Sequence, residues 1–297
     1  MQHNDLSIII VNYNNPELID ACLRSIDKHL AGLKKEIIVV DNNSKIQNLA
    51  VHIEQYPELR VIYLSDNMGF GFANNVGVKN ATGSLLFLLN SDAVFLDNTF
   101  ETMLSKFRII PPGEIWGPRL MSPDGSFQQS YSREIDFISF LTIYSECYLC
   151  VKVLKIANQH KYQNLEFVET TEVQVIYGAA MLINKLDYER MGGFAQKFFM
   201  YFEDIEFCDR FRHTFGGRVR FVPIATLIHG SQGSSRGSSI RFIFRKSRYI
   251  YGIRKFGYFA MFVVIPLDII FWCFESILRI AISCFNILQL KRWIYFK

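Results

Sequence analysis

Four short apolar runs rich in β-branched residues lie within the first 92 residues of this 297-residue chain. They cover residues 6–11, 36–40, 61–64 and 84–89. Runs of this length and composition are typical of strands buried on both faces of a parallel sheet. Because helical segments are predicted between them, the chain is expected to fold as an α/β protein with right-handed crossovers.

The connecting segments carry helix signals. Residues 16–30 have apolar side chains at helical spacing behind Pro16, which suits the first turn of a helix. A second helix is predicted over residues 46–56, and a third from about Ala73 to a stop at Thr82 and Gly83. The regular alternation of strand and helix therefore extends to about residue 92.

The alternation is looser after Asp92. Residues 115–121 and 126–132 flank a Pro123-Asp124-Gly125 turn and predict an antiparallel pair. Further strands are predicted over residues 173–183 and 218–222, and helices over residues 135–156, 186–191 and 205–215. This half is thus expected to complete the sheet with mixed strand directions.

Each of the first four strands is followed by polar residues, and three of the four ends carry an Asp. The ends read Asn12-Tyr13-Asn14, Asp41-Asn42-Asn43-Ser44, Asp66-Asn67-Met68-Gly69 and Asn90-Ser91-Asp92. A single end of this kind is explained by a turn or a helix cap. Four at one edge of a sheet predict a ligand cleft, because ligands of open α/β sheets bind beyond the carboxyl ends of the strands. Carboxylate oxygen at Asp92 also suits Mg²⁺ or Mn²⁺.

These motifs resemble glycosyltransferase family 2, the inverting enzymes of the GT-A fold. Four runs resemble its nucleotide-sugar-binding half: LSIIIVNYNN, IIVVDNNS, DNMGFGFANNVG and LLFLLNSDA. Two later runs resemble the acceptor half of its rhamnosyltransferase-like branch: MGGFAQKFFMYFEDIEFCDRF and IHGSQGSS. The resemblance implies a Rossmann-like, mostly parallel central sheet. It divides the chain into a catalytic domain, residues 1–235, with donor half 6–92 and acceptor half 93–235, and a C-terminal helical extension, residues 236–297.

The resemblance also implies residue roles. Asp41 would bind the pyrimidine of the donor beside Asn12 and Tyr13, and the loop over the ribose and diphosphate would be shaped by Asn67, Gly71 and Asn75, with Asn90 nearby. Asp92 and His229 would hold a divalent metal, Mn²⁺ or Mg²⁺, at the diphosphate. The family often has Asp-x-Asp where this chain has Asn90-Ser91-Asp92, so we expect weaker metal binding. The Gly/Ser loop after His229 is expected to close on the donor.

Acceptor activation requires a general base, and Glu203-Asp204 is the candidate pair. It follows the aromatic run at residues 198–202, which favours a raised carboxylate pKa. By resemblance Asp204 is the base, while the alternative from the sequence alone is an acidic first turn of a helix. The predicted reaction moves a sugar, rhamnose from dTDP-rhamnose, to a hydroxyl of a polysaccharide or lipid-linked saccharide.

Charge is divided unevenly along the chain. The formal net charge is +4, but residues 230–297 hold 11 basic and 2 acidic residues, against 21 and 26 in the first 229. Beyond residue 256 the pattern predicts a helix with one polar face and a broad apolar one; the polar face is Asp268, Glu275, Arg279, Ser283 and Asn286. We expect residues 236–297 to lie on an anionic membrane surface, with core or oligomer packing and a true span as alternatives. Nucleic-acid binding is not expected, because no recognition fold accompanies the basic stretch.

The remaining expectations concern the location of the protein and alternative functions. The chain begins without a signal peptide pattern, and its Cys147/Cys150 pair lacks zinc-finger partners, so we expect reduced thiols and a cytoplasmic protein at the inner face of the membrane. A sugar-nucleotide nucleotidyltransferase is the alternative enzyme, but the Gly-rich triphosphate loop expected after the first strand is missing. A non-catalytic, membrane-bound scaffold that binds nucleotide sugar also remains open, as does homo-oligomer formation.

Overall fold

The computed structural model describes residues 5–45, 55–109, 113–143, 166–230 and 238–270, with residues 273, 274 and 277. The strands are β1 (Leu6–Asn12), β2 (Lys35–Asp41), β3 (Leu59–Tyr63), β4 (Leu85–Asn90), β5 (Ala93–Phe95), β6 (Glu114–Met121), β7 (Phe127–Gln128), β8 (Tyr131–Ser132), β9 (Thr171–Val173), β10 (Val175–Ile176), β11 (Ala180–Asn184) and β12 (Arg218–His229). The helices are α1 (Pro16–His29), α2 (Phe70–Asn80), α3 (Thr99–Ile109), α4 (Phe137–Ile143), α5 (Lys185–Arg190), α6 (Glu203–Phe215) and α7 (Ser238–Phe256). Residues 258–270 are also helical.

The first half of the sheet is parallel, as predicted. Its strands run in the order β3-β2-β1-β4, and the register places Asn12 beside Asp41 and Val11 beside Asn90. The apolar side chains of β1, β2 and β4 are buried because helices cover both faces of such a sheet. The predicted strand ends therefore meet at one edge of the sheet.

The second half mixes strand directions. β11 lies antiparallel between β4 and β6, and β12 runs parallel to β6. Three short strands complete this ten-stranded sheet by antiparallel pairing: β5 and β9 pair with β12, and β7 pairs with β6. β8 and β10 pair separately. The antiparallel pair predicted around Pro123-Asp124-Gly125 is confirmed for β7, which returns along β6. The predicted strand over residues 126–132 does not continue, because Tyr131–Ser132 pair with β10 instead. The predicted α/β class and mostly parallel central sheet are also confirmed.

Some predicted elements differ from the observed ones. The single strand predicted over residues 173–183 is wrong, because this segment contributes to β9, β10 and β11. β9 pairs with β12, β10 pairs with β8, and β11 pairs with both β4 and β6. The chain leaves strand geometry around Gly178, whose N–H instead donates to a carboxylate of α6. Helix α2 begins at Phe70 rather than near Ala73, and α6 begins at Glu203 rather than near Ile205. Most of the helix predicted over residues 46–56, and Cys147 and Cys150, lie outside the described residues.

The chain divides into two compact units. One comprises Met1–Glu134 with Lys161–Ser247, and the other comprises Ile135–His160 with Arg248–Lys297. The described core of the second unit is built around Arg248, which is 1 % exposed, donates to the Phe140 carbonyl, and pairs with Asp268. Gly252 lies against Phe140 and Met261, where a Cβ would be too close to both side chains.

Asp268 belongs to the polar face predicted for the last helical segment, but its side chain does not face solvent. That side chain is buried against Arg248, because an unpaired carboxylate inside the unit would be strongly unfavourable. Large apolar side chains point outward instead, namely Tyr258, Phe259, Phe262, Val263, Ile265, Ile269, Ile270, Phe274 and Ile277. The rest of the predicted polar face, Glu275, Arg279, Ser283 and Asn286, lies outside the described residues. In the described part of the chain, no helix is both long and apolar enough to cross a bilayer.

Candidate active site

The ends of β1 and β2 form a buried polar network. Asn12 Nδ2 donates to Asp41 Oδ2 at 2.9 Å, and the Ser44 N–H donates to Asp41 Oδ1 at 2.8 Å. Asp41 is 1 % exposed, so these donors compensate its burial. Asn12 Oδ1 is buried and has no hydrogen-bond partner among the described residues. Tyr13 lies at the exposed rim beside this network.

The loop after β3 is fixed by two asparagine side chains. Asn42 Nδ2 donates to Asn67 Oδ1 at 2.9 Å, and Asn42 Oδ1 accepts from the Met68 N–H at 2.9 Å. Asn67 Oδ1 also accepts from the Gly69 N–H at 3.1 Å. The side chain of Asn67 therefore determines the shape of this loop, and any contact that it makes with a donor remains a prediction.

Gly69 and Gly71 allow the start of α2 to lie directly against the segment that leads to Glu203. The Phe70 N–H donates to the Phe199 carbonyl at 2.8 Å. Gly69 has φ 88°, and a Cβ there would lie 2.0 Å from the same carbonyl oxygen. At Gly71 a Cβ would lie 3.0 Å from Phe194 Cβ, a tight contact, and 3.7 Å from Glu203 Cβ, an ordinary one. Glycine is thus required at position 69, where the start of α2 contacts the Phe199 backbone.

Asn75 has a structural role in this geometry. Its Nδ2 donates to the Phe194 carbonyl at 2.8 Å, and its Oδ1 accepts from Tyr188 Oη at 2.6 Å and from the Phe194 N–H at 2.9 Å. These bonds hold the turn through Gly192 and Gly193, both of which have positive φ. The contact with a donor that the resemblance implies for Asn75 remains a prediction.

The structure brings together Asp92 and His229, which are 137 positions apart in the sequence. His229 Nε2 lies 3.2 Å from Asp92 Oδ1 and 3.1 Å from Asn90 Nδ2, and His229 Nδ1 lies 3.0 Å from Gln128 Oε1. If Nδ1 carries the proton donated to Gln128, Nε2 presents a lone pair beside the carboxylate. This mixed nitrogen and oxygen pair fits a cation such as Mn²⁺. The described residues contain no group of three or more His, Cys, Asp or Glu side chains placed to hold a metal ion together.

Glu203 and Asp204 form the first turn of α6. The Gly178 N–H donates to Asp204 Oδ2 at 2.8 Å, and the Ile205 N–H donates to Asp204 Oδ1 at 2.8 Å. Glu203 is 5 % exposed, and its Oε2 is buried without a hydrogen-bond partner among the described residues. The two adjacent carboxyl groups therefore have different surroundings.

The pKa values of both groups are displaced in the same direction. Burial raises the pKa of Glu203 well above its usual range, and the negative charge of Asp204 raises it further. Burial also raises the pKa of Asp204, although the hydrogen bonds from Gly178 and Ile205 act against this effect. Burial and the neighbouring carboxylate thus both favour the neutral form of Glu203, whereas Asp204 keeps two backbone N–H donors that favour its charged form.

The backbone before this pair is strained. Tyr201 has φ 71° and Phe202 has φ 68°, so two consecutive non-glycine residues are left-handed. Each such residue typically costs about 1–3 kcal/mol and persists where surrounding contacts fix it. Strain of this kind concentrates at functional sites, which supports a functional role for the turn.

Several residues of the site were not anticipated from the sequence. Gln128 orients His229, Ser44 and Asn42 hold the strand ends, and Gly178 anchors Asp204 through its backbone. Ser44 and Asn42 belong to a polar strand end that was identified, and this signal could have found them. Gln128 and Gly178 carry no comparable signal, because their roles depend on strand pairing alone.

Solved structures share this architecture. A structure of GalNAc-T7 with UDP, GalNAc and Mn²⁺ matches with a TM-score of 0.61 and 17 % identity, covering 85 % of this chain and 48 % of that one. A structure of TarS residues 1–349 from S. aureus in complex with UDP-GlcNAc matches with a TM-score of 0.52 and 17 % identity, covering 78 % and 60 % of the two chains. The fold is therefore that of the GT-A glycosyltransferases.

Sequence comparison identifies the family. The sequence model of Glycosyl transferase family 2 matches residues 7–192, so the chain belongs to that family. The hexosyltransferase Agl10 of low-salt glycan biosynthesis in Haloferax volcanii is 28 % identical over 217 residues, 70 % of this chain and 62 % of the relative. The rhamnosyltransferase WbbL of Escherichia coli K12 is 28 % identical over 245 residues, 77 % and 84 % of the two chains. The N-acetylglucosaminyl-diphospho-decaprenol L-rhamnosyltransferase of Mycobacterium tuberculosis is 22 % identical over 204 residues, 65 % and 66 %.

Proposed function

We propose that this chain catalyses inverting transfer of a sugar from a nucleoside diphosphate to an acceptor hydroxyl. The observation that carries the proposal is the Asp204 carboxylate at the start of α6, which the Gly178 N–H anchors. Its neighbour Glu203 is buried, and its Cβ lies 3.7 Å from where a Cβ at Gly71 of the donor-side helix would be. A carboxylate with a raised pKa is suited to accept a proton from a hydroxyl. Family membership supports the reaction class, and the matched region includes the ends of the first four predicted strands.

The proposed mechanism assigns one task to each group. Asn12 and Asp41 bind the edge of the donor pyrimidine, with Tyr13 at the rim. Asp204 accepts the proton of the acceptor hydroxyl as that oxygen attacks the anomeric carbon, and the bond to the diphosphate breaks on the opposite face. A single displacement of this kind inverts the anomeric configuration. Burial and the charge of Asp204 raise the pKa of Glu203, which favours its neutral form and so limits the negative charge beside Asp204.

A divalent cation would be held by Asp92 and His229, and it would stabilise the charge that develops on the leaving diphosphate. Two protein ligands leave positions for phosphate oxygens and water, which is common for Mg²⁺ and Mn²⁺ at phosphates. Asp92→Ala and His229→Ala should each raise the Mn²⁺ concentration needed for half-maximal turnover. Asp124→Ala, at an exposed turn, is the matched control. If Asp92→Ala has an unchanged metal requirement, the metal role is wrong.

For the donor we propose dTDP-rhamnose, and for the acceptor a polysaccharide or lipid-linked saccharide. The relatives named as rhamnosyltransferases support this choice, and one of them is named for transfer to N-acetylglucosaminyl-diphospho-decaprenol. The neighbouring structures contain UDP or UDP-GlcNAc, which supports a pyrimidine donor in general. The substrates would place the protein at cell-surface glycan synthesis.

A donor panel tests the proposal. dTDP-rhamnose, UDP-GlcNAc and GDP-mannose would be compared by thermal shift and by turnover with a GlcNAc-diphospho-lipid acceptor and Mn²⁺. We expect binding and turnover with dTDP-rhamnose, and neither with the purine donor. Asp204→Asn should abolish turnover but keep donor binding, whereas Asp124→Asn should change neither. Donor binding without turnover in the wild type would instead support the scaffold alternative.

We also propose that the second unit binds an anionic lipid surface at the inner face of the cytoplasmic membrane. Its outward apolar side chains include Phe259 and Phe262, which are 82 % and 77 % exposed. Residues 248–297 contain seven basic and two acidic residues, and one of those acids, Asp268, is already paired with Arg248. An apolar surface in a basic segment fits an anionic lipid surface. Each Lys or Arg near such a surface contributes about 1 kcal/mol to the binding free energy.

Vesicle sedimentation tests this assignment. The full chain should bind vesicles that contain phosphatidylglycerol more tightly than pure phosphatidylcholine vesicles, and added salt should weaken binding. Phe259→Ser with Phe262→Ser should reduce binding at least tenfold, because each phenylalanine side chain contributes about 1.5–3 kcal/mol when buried. Val168→Ser, an exposed apolar residue of the first unit, is the control. Equal binding to both vesicle types, or loss of a dimer in the double variant, would overturn the proposal.

A further inference from the structure

The turn that precedes Asp204 is held from two sides. On one side, the Phe70 N–H of α2 donates to the Phe199 carbonyl at 2.8 Å. On the other side lies the first part of α7, whose residues up to Ser247 belong to the same compact unit as the turn. The turn carries two consecutive left-handed residues, Tyr201 and Phe202, so it depends on outside contacts for its conformation.

Two side chains of α7 make those contacts. The Phe244 ring lies 5.5 Å from the Tyr201 ring and 5.2 Å from the Phe202 ring, measured between centroids. Ser247 Oγ donates to the Met200 carbonyl at 2.7 Å, and Ser247 is 2 % exposed. Because they are three positions apart, Phe244 and Ser247 share one face of the helix. One helical face thus contacts all three residues from Met200 to Phe202.

Helix α6 has no side-chain cap of its own to fix its start. Phe202 occupies the N-cap position without a capping hydrogen bond from its side chain, and the Glu206 N–H donates to the Phe202 carbonyl at 2.9 Å. The position of the first turn, with Glu203 and Asp204, therefore follows the position of Phe202. A shift of the turn would move both carboxyl groups relative to the donor-side glycines.

We propose that Phe244 and Ser247 are positioning residues for the proton transfer: they hold the Met200–Phe202 turn in its left-handed conformation and so place Asp204. The inference rests on the proposed function, because it takes Asp204 as the base. It assigns to α7 a task in the catalytic half of the chain that is separate from any membrane contact. Neither side chain contacts the substrate in this account.

Kinetics of Ser247→Ala and Phe244→Ala test the proposal, with the donor and acceptor that give turnover in the panel above. Both variants should lower kcat about tenfold or more, while the KM for the donor stays within about twofold, since small displacements of a catalytic group strongly affect the chemical step. Ser247→Thr keeps the hydroxyl and should restore kcat. Phe242→Ala, on the same helix but 68 % exposed, should leave kcat unchanged.

Hydrogen exchange provides a readout that does not depend on turnover. Amides of residues 200–206 should exchange at least tenfold faster in Ser247→Ala than in wild type, and at the wild-type rate in Phe242→Ala. If Ser247→Ala and Phe244→Ala match Phe242→Ala in both kcat and exchange, the positioning role is refuted even if Asp204→Asn is inactive. If Asp204→Asn keeps full turnover while exchange responds as expected, the proposed base is wrong and the turn is held as inferred.

Discussion

Gly69→Ala should disturb the segment before Glu203 and Asp204, although Gly69 itself has no side chain. Its backbone, φ 88° and ψ 171°, lies in a region that is essentially restricted to glycine, so alanine there costs about 1–3 kcal/mol. The added Cβ would lie 2.0 Å from the Phe199 carbonyl oxygen. Contacts under 3.0 Å are essentially never seen, so the carbonyl must move by about 1 Å.

That movement breaks the bond from the Phe70 N–H, now 2.8 Å long. Phe70 and Phe199 are half-buried, so the loss of this hydrogen bond costs about 0.5–1.5 kcal/mol more. The expected loss of unfolding free energy is therefore about 1.5–4.5 kcal/mol. A shift of about 1 Å in the segment before Asp204 should also lower kcat by up to about 100-fold.

Gly125→Ala is the matched control for this prediction. Gly125 also has positive φ, 81°, but a Cβ there would meet nothing within 4 Å. Its cost should be only the backbone strain, about 1–2 kcal/mol, with kcat unchanged. Urea unfolding and turnover assays would measure both variants. If the two substitutions lowered stability equally and left kcat alike, the contact between Gly69 and Phe199 would not position the site.

Three further predictions concern charged groups. Asp204→Asn should lower turnover by about 100- to 10,000-fold with unchanged donor affinity, measured by steady-state kinetics and thermal shift. Burial raises the folded-state pKa of Glu203, so the contribution of this residue to stability is present at low pH and is lost as pH rises. Glu203→Gln should therefore raise the Tm at pH 8 but not at pH 4. A change in Tm that does not depend on pH would contradict burial as the cause. Asp268→Ala should cost about 3–5 kcal/mol in urea unfolding because it leaves Arg248 buried and unpaired, whereas Asp124→Ala should have little effect.

Local patterns predicted the first half of the fold well. The apolar runs of β1, β2 and β4 are read from β-branched composition, and α1 is read from Pro16 and helical spacing. Residues 173–183 were predicted wrongly because their apolar run looks continuous, while pairing with four different strands divides it into three short ones. Helix α6 starts two residues before the predicted position, since the turn at Phe202 is set by contacts with distant residues rather than by a capping residue.

The sequence by itself determined the class of the fold, the polar strand ends that include Asn12, Asp41 and Asp92, and the acidic pair at residues 203 and 204. Those features depend on periodicity and on residue type, which are local properties. Only the tertiary structure decided that Gln128 orients His229, that Gly178 anchors Asp204, that Asn75 holds a turn, and that Asp268 faces inward to Arg248. Each of these depends on strand register or on packing between distant segments, where buried polar groups must find partners that no local pattern specifies.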